Sequence, residues 1–382
     1  MTIETTSAFP TERKIRPDAI NCLRVLAALM VFLFHTSLFM NDPGELNDHG
    51  VWTILVRPSA WAGVWIFFLL SGYLCGRGFL TGRYPLTWRG VGAFYLRRIR
   101  KVWFPTLCFI LLCLVLIYPT YLSENPGLIW KFLLCTYRGI PGVNGIGATW
   151  FIFTLMWLYF VSPLVALGVK ALARKPGLLT AAFFALVLLG CGYRFLADRM
   201  GWDWAQHVYG SPYGNFDLFA CGMLLNAIVA QSKARQVQPG TLVKCLGLLA
   251  VAFVFLFGGY CNYTTLPVFS GLHTRVLPSL TILGCGLFLY CFDRESGWLP
   301  AVPEKSFFGL CCRCVNGLSG LAFAFYLFHS VVLYAISQNI VSGGGAKEYF
   351  TLLFFAAVLT LIMSYGWNRI FLTKKSGPGV TA

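Results

Sequence analysis

Two ionisable residues lie in the first long apolar run of the chain, residues 20–40. Arg24 and His35 are 11 positions apart in this run. On a helix that turns about 100° per residue, this spacing places both side chains within roughly 20° of one face and about 16 Å apart along the axis. An ionisable group at membrane depth costs roughly 2.5–3.5 kcal/mol. We therefore expect both residues to line one polar channel between helices, where His35 can act as a base and Arg24 can hold negative charge.

Each of these residues also has a purely structural explanation. Arg24 is only four residues into the run and can extend its charged end towards the inner lipid headgroups. His35 can form a hydrogen bond to a neighbouring helix. The shared helix face favours one common site over two unrelated explanations.

A second histidine lies in a later apolar run, residues 318–338. His329 follows Tyr326 by three positions, so the two are neighbours on a helix. We expect His329 at a depth similar to that of His35, where it competes for the role of base. The other histidines fall in connections between runs and are expected to be ordinary surface residues; they are His49, His207 and His273.

An arginine cluster precedes the third apolar run. Arg97, Arg98 and Arg100 stand together with Lys101. Guanidinium forks match the geometry of phosphate oxygens, so the cluster predicts an anion site. The same cluster is also explained by membrane topology alone, because cytosolic connections accumulate Lys and Arg.

The composition indicates the element that must position these residues. Hydrophobic residues make up 57% of the chain and charged residues only 12%, whereas a soluble domain has about a quarter charged residues. A membrane-spanning helix needs about 20 mainly apolar residues. The fold class is therefore all-α integral membrane, a bundle of about ten transmembrane helices. The predicted spans are 20–40, 61–80, 102–122, 149–169, 178–196, 213–231, 242–260, 275–292, 318–338 and 350–372.

The basic residues predict the orientation of these spans. With the N-terminus inside, the inside segments hold 22 Lys and Arg, the outside segments hold 7, and Arg24 lies within a span. This asymmetry predicts that both termini are cytosolic. It gives a cytosolic segment 1–19, a ten-span domain 20–372 and a cytosolic tail 373–382. Because the basic residues, apart from Arg24, are counted with the connections between apolar runs, the expected surroundings are membrane lipids and not nucleic acid.

The 14 cysteines lie mostly inside apolar runs, where a free cysteine behaves as a small hydrophobe. Cys311, Cys312 and Cys314 have no second Cys or His pair at zinc spacing, so no metal site is predicted. Cys135 and Cys261 both fall in predicted outside connections. A disulfide between them stays open.

Read together, these motifs resemble the membrane-bound acyltransferase 3 family, bacterial ten-span enzymes that acylate glycans and related acceptors. The resemblance covers residues 16–372. The matching residues are Asn21 to His35 in the first span, Phe67 to Tyr73 in the second, Arg97 to Arg100 before Pro105, Trp150 to Pro163 in the fourth, Asp217 with Gly222 to Leu225 in the sixth, and Tyr326 to His329 in the ninth.

The resemblance implies an O-acyltransferase of the bacterial inner membrane. It implies acyl-CoA, most often acetyl-CoA, as a cytosolic donor substrate, with no bound cofactor, and a cell-envelope glycan or lipid-linked sugar as acceptor. Arg97, Arg98 and Arg100 would hold the donor phosphates, the pantetheine arm would pass Arg24, and His35 would activate an acceptor hydroxyl. The further residues expected to contact substrates are Ser71, Trp150, Asp217, Tyr326 and His329.

The chain departs from the family pattern at two positions. The family often has Asp where this chain has Asn21, and an acidic residue near the start of the ninth span where it has Gly320. If that acid supports a histidine in relatives, its role here is unfilled or has moved to Asp217.

Gly72 and Gly76 form a small-xxx-small pair, which predicts close helix packing and not chemistry.

Two alternatives stay open. Ser71 and Cys75 are candidate nucleophiles, although neither stands beside a histidine in an obvious nucleophile motif, and we prefer direct transfer.

A transporter of an anionic solute could use the same polar channel, and would be expected to show two matching halves with broken helices. The sequence shows no internal repeat. It leaves the acceptor, the acyl group and the oligomeric state open.

Overall fold

A computed structural model describes residues 13–40, 51–117, 119–136, 146–263, 267–293, 300–340 and 345–371. This part of the chain is helical almost throughout, in agreement with the predicted all-α class. Its helices are α1 (Ala19–Leu38), α2 (Val51–Val56), α3 (Ala60–Leu80), α4 (Trp88–Arg98), α5 (Phe104–Leu116), α6 (Tyr121–Glu124), α7 (Leu128–Leu133), α8 (Trp150–Leu172), α9 (Pro176–Arg199), α10 (Phe216–Ala234), α11 (Thr241–Tyr263), α12 (Pro267–Arg275), α13 (Leu277–Phe292), α14 (Phe307–Ile340) and α15 (Ala346–Phe371). Two short strands, β1 (Lys14–Ile15) and β2 (Val302–Pro303), pair antiparallel.

Each predicted span coincides with a helix. Among the described residues, eight helical segments are long and apolar enough to cross a membrane, which makes this a multi-pass membrane protein. The sixth and eighth predicted spans correspond to α10, with 19 residues, and α13, with 16 residues, and neither is among the eight.

The third span differs from its predicted bounds of 102–122. Helix α4 continues through a π-helical turn, Ile99–Trp103, into α5, so that one helical segment extends from Trp88 to Leu116. It ends three residues before Pro119, because proline lacks the N–H group that a helix interior requires and its ring disfavours helix in the preceding residue.

Contacts between segments that are distant in sequence show which connections lie together at each end of the bundle. At one end, called the inner end here, Lys14 of β1 pairs with Pro303 of β2, and Arg77 forms an ion pair with Asp293 at 2.8 Å. These are all segments that the charge count predicts to lie inside. At the opposite, outer end, Arg57 donates to Ser37 at 3.1 Å. This agrees with the predicted alternation of the connections.

Helix α13 extends along the bundle although it has only 16 residues. Helix α13 begins directly after α12, whose His273 contacts Ser59 at the outer end, and it ends at Asp293 beside Arg77 at the inner end. These contacts place the two ends of α13 at opposite ends of the bundle.

Helix α10 shows the same arrangement. Near its start, Asp217 binds Arg194 close to the outer end of α9. Near its finish, the Gln231 amide donates to the carbonyl of Ala173 at the inner end of α8. Both helices therefore follow their neighbours from one end of the bundle to the other.

Helix α3 is buried on most of its surface, as expected of a helix that is apolar on all sides. It packs closely against α10 through glycines. A Cβ atom at Gly72 would overlap the carbonyl oxygen of Phe219, and one at Gly222 would overlap that of Leu69. The small-xxx-small prediction for Gly72 and Gly76 is confirmed, since a Cβ at Gly76 would lie only 3.0 Å from the Met223 backbone.

Candidate active site

The first and ninth predicted spans, α1 and α14, lie side by side and run in the same direction. Arg24 Nη1 donates to Ser319 Oγ at 2.8 Å, and His35 Nδ1 lies 2.8 Å from His329 Nε2. The two residue pairs are 295 and 294 positions apart in sequence. Helices α1 and α14 therefore stay aligned from the Arg24 contact to the His35 contact. Arg24 and His35 therefore both face α14, as their spacing predicted.

The side chains that form hydrogen bonds with Arg24 are polar but uncharged. Its guanidinium also donates to Asn21 Oδ1 at 3.3 Å, and Ser319 donates to the same oxygen at 2.8 Å. Asp18 is the carboxylate whose charge reaches Arg24, but its side chain caps the N-terminus of α1. With asparagine at position 21, the chain provides orientation for the guanidinium without neutralising it.

A cavity of about 200 Å³ opens between α1, α3, α8 and α14. Arg24 enters it from α1 and Arg98 from the end of α4. Arg98 lies 3.4 Å from the Cys75 thiol and stacks over the Tyr159 ring at 4.4 Å from its centroid. The lining residues are Arg24, Phe67, Ser71, Leu74, Arg98, Val102, Phe151, Ile152, Leu155, Tyr159, Ala322, Phe323 and Tyr326.

The two guanidinium groups of the cavity lack anionic partners within the described residues. None of the ion pairs found there involves Arg24 or Arg98. A buried cation is strongly disfavoured unless it is paired, and a second cation in the same cavity adds repulsion. The cavity is therefore suited to a negatively charged ligand.

The predicted arginine cluster separates into two groups. Arg97 and Arg100 are three positions apart, so they share a helix face, and both are exposed to the surroundings of the bundle. Arg98 lies between them on the opposite face and enters the cavity. The π-helical turn that begins at Ile99 follows this arginine directly, and such turns occur frequently at functional sites.

Tyr326 links the cavity to the histidines. Its ring lines the cavity, and its hydroxyl donates to the carbonyl of Ala148 at 2.7 Å, just before α8. The ring centroid of His329 lies 5.4 Å from that of Tyr326. The histidine pair therefore adjoins the cavity on the side towards the outer end.

The two histidine rings are held by each other and by the backbone. His329 is 1% exposed, and its Nδ1 lies 2.7 Å from the carbonyl oxygen of Tyr326. The rings of His35 and His329 are 22° from parallel, with centroids 5.0 Å apart. Each imidazole thus has a fixed orientation, which a base needs if it is to meet one particular hydroxyl.

Trp150 and Asp217, both predicted to bind substrate, also lie apart from the residues that line the cavity. Trp150 packs against Tyr209 near the outer end, with ring centroids 4.5 Å apart. Asp217 accepts two bonds from Arg194, at 2.7 and 2.8 Å, and both side chains are buried. This carboxylate is therefore engaged by an arginine and does not fill the position of the missing acid near Gly320.

The expectation that His273 is a surface residue is wrong. It is 4% exposed, its Nε2 lies 2.8 Å from Ser59 Oγ, and its ring stacks on Trp61 with centroids 4.6 Å apart. Burial lowers the pKa of His273 to about 4. No local pattern around His273 indicated this burial, because its partner Ser59 is 214 positions away. His207, by contrast, is partly exposed and contacts the Tyr213 hydroxyl at 3.0 Å, and His49 lies outside the described residues.

Sequence reasoning missed two polar residues at the site, Tyr159 and Ser319. Tyr159 had a detectable signal, because a phenol in the middle of an apolar run usually needs a partner for its hydroxyl. Ser319 had none, since small hydroxyl residues are common in membrane helices. The disulfide that had stayed open is absent here: Cys135 and Cys261 are both free thiols.

Comparison with known proteins identifies a family. The sequence model of a family described as an acyltransferase domain matches residues 18–368, which include every residue of the cavity and the histidine pair. No curated protein and no solved structure matches the chain at a significant level.

Proposed function

The chain belongs to the acyltransferase 3 family, and we propose that this membrane acyltransferase moves an acetyl group from cytosolic acetyl-CoA to a hydroxyl of a cell-envelope glycan or lipid-linked sugar. The proposed location is the inner membrane of a bacterium. The residues that we assign to the reaction are Arg24, His35, Arg98, Tyr326 and His329.

The observation that carries the proposal is the pairing of a cationic cavity with an adjacent histidine pair. Arg24 and Arg98 offer charge to an anionic ligand, and neither has an anionic partner among the described side chains. Acyl-CoA is such a ligand, because its phosphates match guanidinium forks. The exposed Arg97 and Arg100 lie on the same helical segment and would attract the donor to the inner end.

The separation of Arg24 and His35 divides their roles. Eleven residues of helix correspond to about 16 Å, which is more than an arginine side chain can span. Arg24 therefore holds the donor and does not touch the atoms that His35 deprotonates. Tyr326 lines the cavity and contacts His329, and we assign to it a contact with the acyl end of the donor.

The proposed reaction is a direct transfer with His35 as general base. The acceptor oxygen attacks the thioester carbonyl carbon while its proton passes to His35. The tetrahedral intermediate then collapses, the carbon–sulfur bond breaks, and the proton leaves His35 for the departing thiolate. A positioned base contributes about 10²–10⁴-fold to such a reaction. Atoms and charge balance without a cofactor.

Purified protein in proteoliposomes provides the test. Acetyl-CoA is supplied on the side of the inner end, and an envelope glycan extract on the other. We expect labelled acetyl groups to appear on the glycan with wild-type protein and to be lost with His35→Ala at equal membrane levels. Counterflow of an anionic solute without acetyl transfer would instead indicate a transporter. Normal transfer by His35→Ala would remove His35 from the mechanism.

A further inference from the structure

We propose that His329 fixes the tautomer of His35, so that Nε2 of His35 is the nitrogen that accepts the proton. Calling that nitrogen the catalytic base rests on the proposed function, whereas the placement of the protons rests on geometry alone. Because His329 acts through His35, it is a positioning residue.

The argument begins at a backbone carbonyl. His329 Nδ1 lies 2.7 Å from the carbonyl oxygen of Tyr326. A carbonyl oxygen can only accept a hydrogen bond, so this nitrogen must carry a proton. A neutral imidazole has one N–H and one bare nitrogen, and therefore Nε2 of His329 is an acceptor.

The same reasoning then applies to the second ring. His35 Nδ1 lies 2.8 Å from His329 Nε2. Since the His329 nitrogen is bare, the proton of this bond belongs to His35 Nδ1, which donates it. Nε2 of His35 is then left unprotonated. The hydrogen bonds thus run from His35 to His329 and from His329 to the backbone of α14. The free lone pair is on Nε2 of His35.

The alternative arrangement requires a charged ring. If His329 carried protons on both nitrogens, it would donate to His35 Nδ1, and the proton of His35 would move to Nε2. That arrangement places a cation between apolar helices, and no ion pair within the described residues involves either histidine. An unpaired buried charge is far more costly than the neutral chain.

The neutral chain also prepares the ring for its proposed step. When the acceptor hydroxyl gives its proton to His35 Nε2, the ring becomes an imidazolium whose Nδ1–H already donates to His329. The bond then gains charge assistance, which makes it roughly twice as strong. No ring has to rotate between taking up the proton and releasing it to the thiolate.

Nitrogen NMR of protein labelled with ¹⁵N-histidine measures the tautomers directly. Spectra of the protein in lipid bilayers at pH 7.5, assigned by loss of signals in His35→Gln and His329→Gln, should show both rings protonated at Nδ1 and bare at Nε2. A proton on Nε2 of either ring overturns the inference. The measurement needs no turnover, so the expected tautomers in a protein without transferase activity would count against the proposed function and not against this inference.

Two substitutions test the positioning role. The side-chain oxygen of Gln in His329→Gln can accept at the place of Nε2, whereas His329→Leu cannot accept. We expect kcat to fall about 10- to 100-fold in the leucine variant, a loss of the size seen when the hydrogen-bond partner of a metal-bound histidine is removed, and to be largely retained in the glutamine variant. KM for acetyl-CoA should change in neither, because the ring lies outside the arginine cavity. Equal losses in both variants, or a change confined to KM, would contradict the inference.

Discussion

Arg24 and Arg98 direct their guanidinium groups into one cavity, although 74 positions of sequence separate them. Arg24 is oriented by Asn21 and Ser319, and Arg98 by the Cys75 thiol and the Tyr159 ring. None of these four partners is anionic in its usual state. The pair therefore forms a positive site that is suited to an anionic ligand, since no ion pair within the described part of the chain involves either guanidinium.

This relationship predicts that Arg98, and not its exposed neighbours, determines donor affinity. Arg98→Gln should weaken acetyl-CoA binding by about 10- to 100-fold, which corresponds to the loss of one charged hydrogen bond worth about 1.5–3 kcal/mol. Arg97→Gln and Arg100→Gln are matched controls on the same helical segment and should change affinity far less at physiological salt, where exposed charges are screened. Isothermal titration in detergent would measure all three. Equal effects from the three substitutions would show that the cluster acts by net charge alone.

The sequence predicted the helices and the shared face of Arg24 and His35 because both follow from the period of a single helix. It could not predict that Arg98 enters the cavity while Arg97 and Arg100 do not. That choice depends on where α4 lies against α8, and the Tyr159 ring that receives Arg98 is 61 positions away. Helix period fixes which residues share a face, whereas packing decides which face is turned inwards.

The same distinction explains the histidines. His35 and His329 were both recognised as intramembrane residues at similar depth, but their direct contact depends on the register of two helices almost 300 positions apart. The sequence predicts His273 as a surface residue because a position in a connection between runs indicates exposure. Its burial arises from the stacked Trp61 ring, which belongs to a distant helix.

Glycine at position 72 is predicted to be indispensable for the packing of α3 on α10. A Cβ there would meet the carbonyl oxygen of Phe219, which is backbone and cannot rotate away, so Gly72→Ala should separate the helices. Overpacking of this kind costs about 1–3 kcal/mol, and the apparent melting temperature in detergent should fall. Gly92→Ala on α4 is the control, since nothing lies within 4 Å of its Cβ position. That variant should melt at or above the wild-type temperature because alanine favours helix by about 1 kcal/mol. Similar melting of the two variants would contradict this account of the helix contact.

The buried pair of Arg194 and Asp217 is predicted to matter for stability only as a unit, because each charge compensates the other, and to take no part in catalysis. Removing only the arginine, as in Arg194→Met, leaves an uncompensated carboxylate and should cost about 3–5 kcal/mol. Adding Asp217→Leu removes that charge, so the double variant should recover most of the lost stability. Melting curves of the single and double variants form the test. The double variant should keep its KM for acetyl-CoA, because neither residue lines the cavity. A double variant less stable than Arg194→Met would mean that the carboxylate has another partner.

Burial of His273 predicts a dependence of stability on pH. Its pKa is about 4 in the folded protein and 6.5 for the ordinary side chain. Between these values the unfolded chain takes up a proton that the folded protein excludes, so stability must fall as the pH is lowered from about 6.5 towards 4. The loss at the lower limit is on the order of 3 kcal/mol. His273→Gln should reduce the difference between the melting temperatures measured at pH 7.5 and pH 5. An unaltered difference in His273→Gln would assign the pH dependence to other groups.

The final prediction concerns α10 and α13, which are the only predicted spans outside the eight long apolar helical segments of the described chain. If both cross the membrane, there are ten spans, the connection 235–240 is cytosolic and α12 is outside. If neither crosses, there are eight, and both of these segments change sides while the termini do not. The contacts favour ten, because α12 meets Ser59 at the outer end and α13 ends beside Arg77 at the inner end. The short length of α13 is then tolerated because its neighbours cover it: much of its surface is buried in the bundle and does not face lipid. We expect reporter insertions after Gln238 to be cytosolic and those after Gly271 to be outside, with a C-terminal reporter cytosolic in either case. The reverse result at both internal positions would establish eight spans, and an outside C-terminus would refute both arrangements.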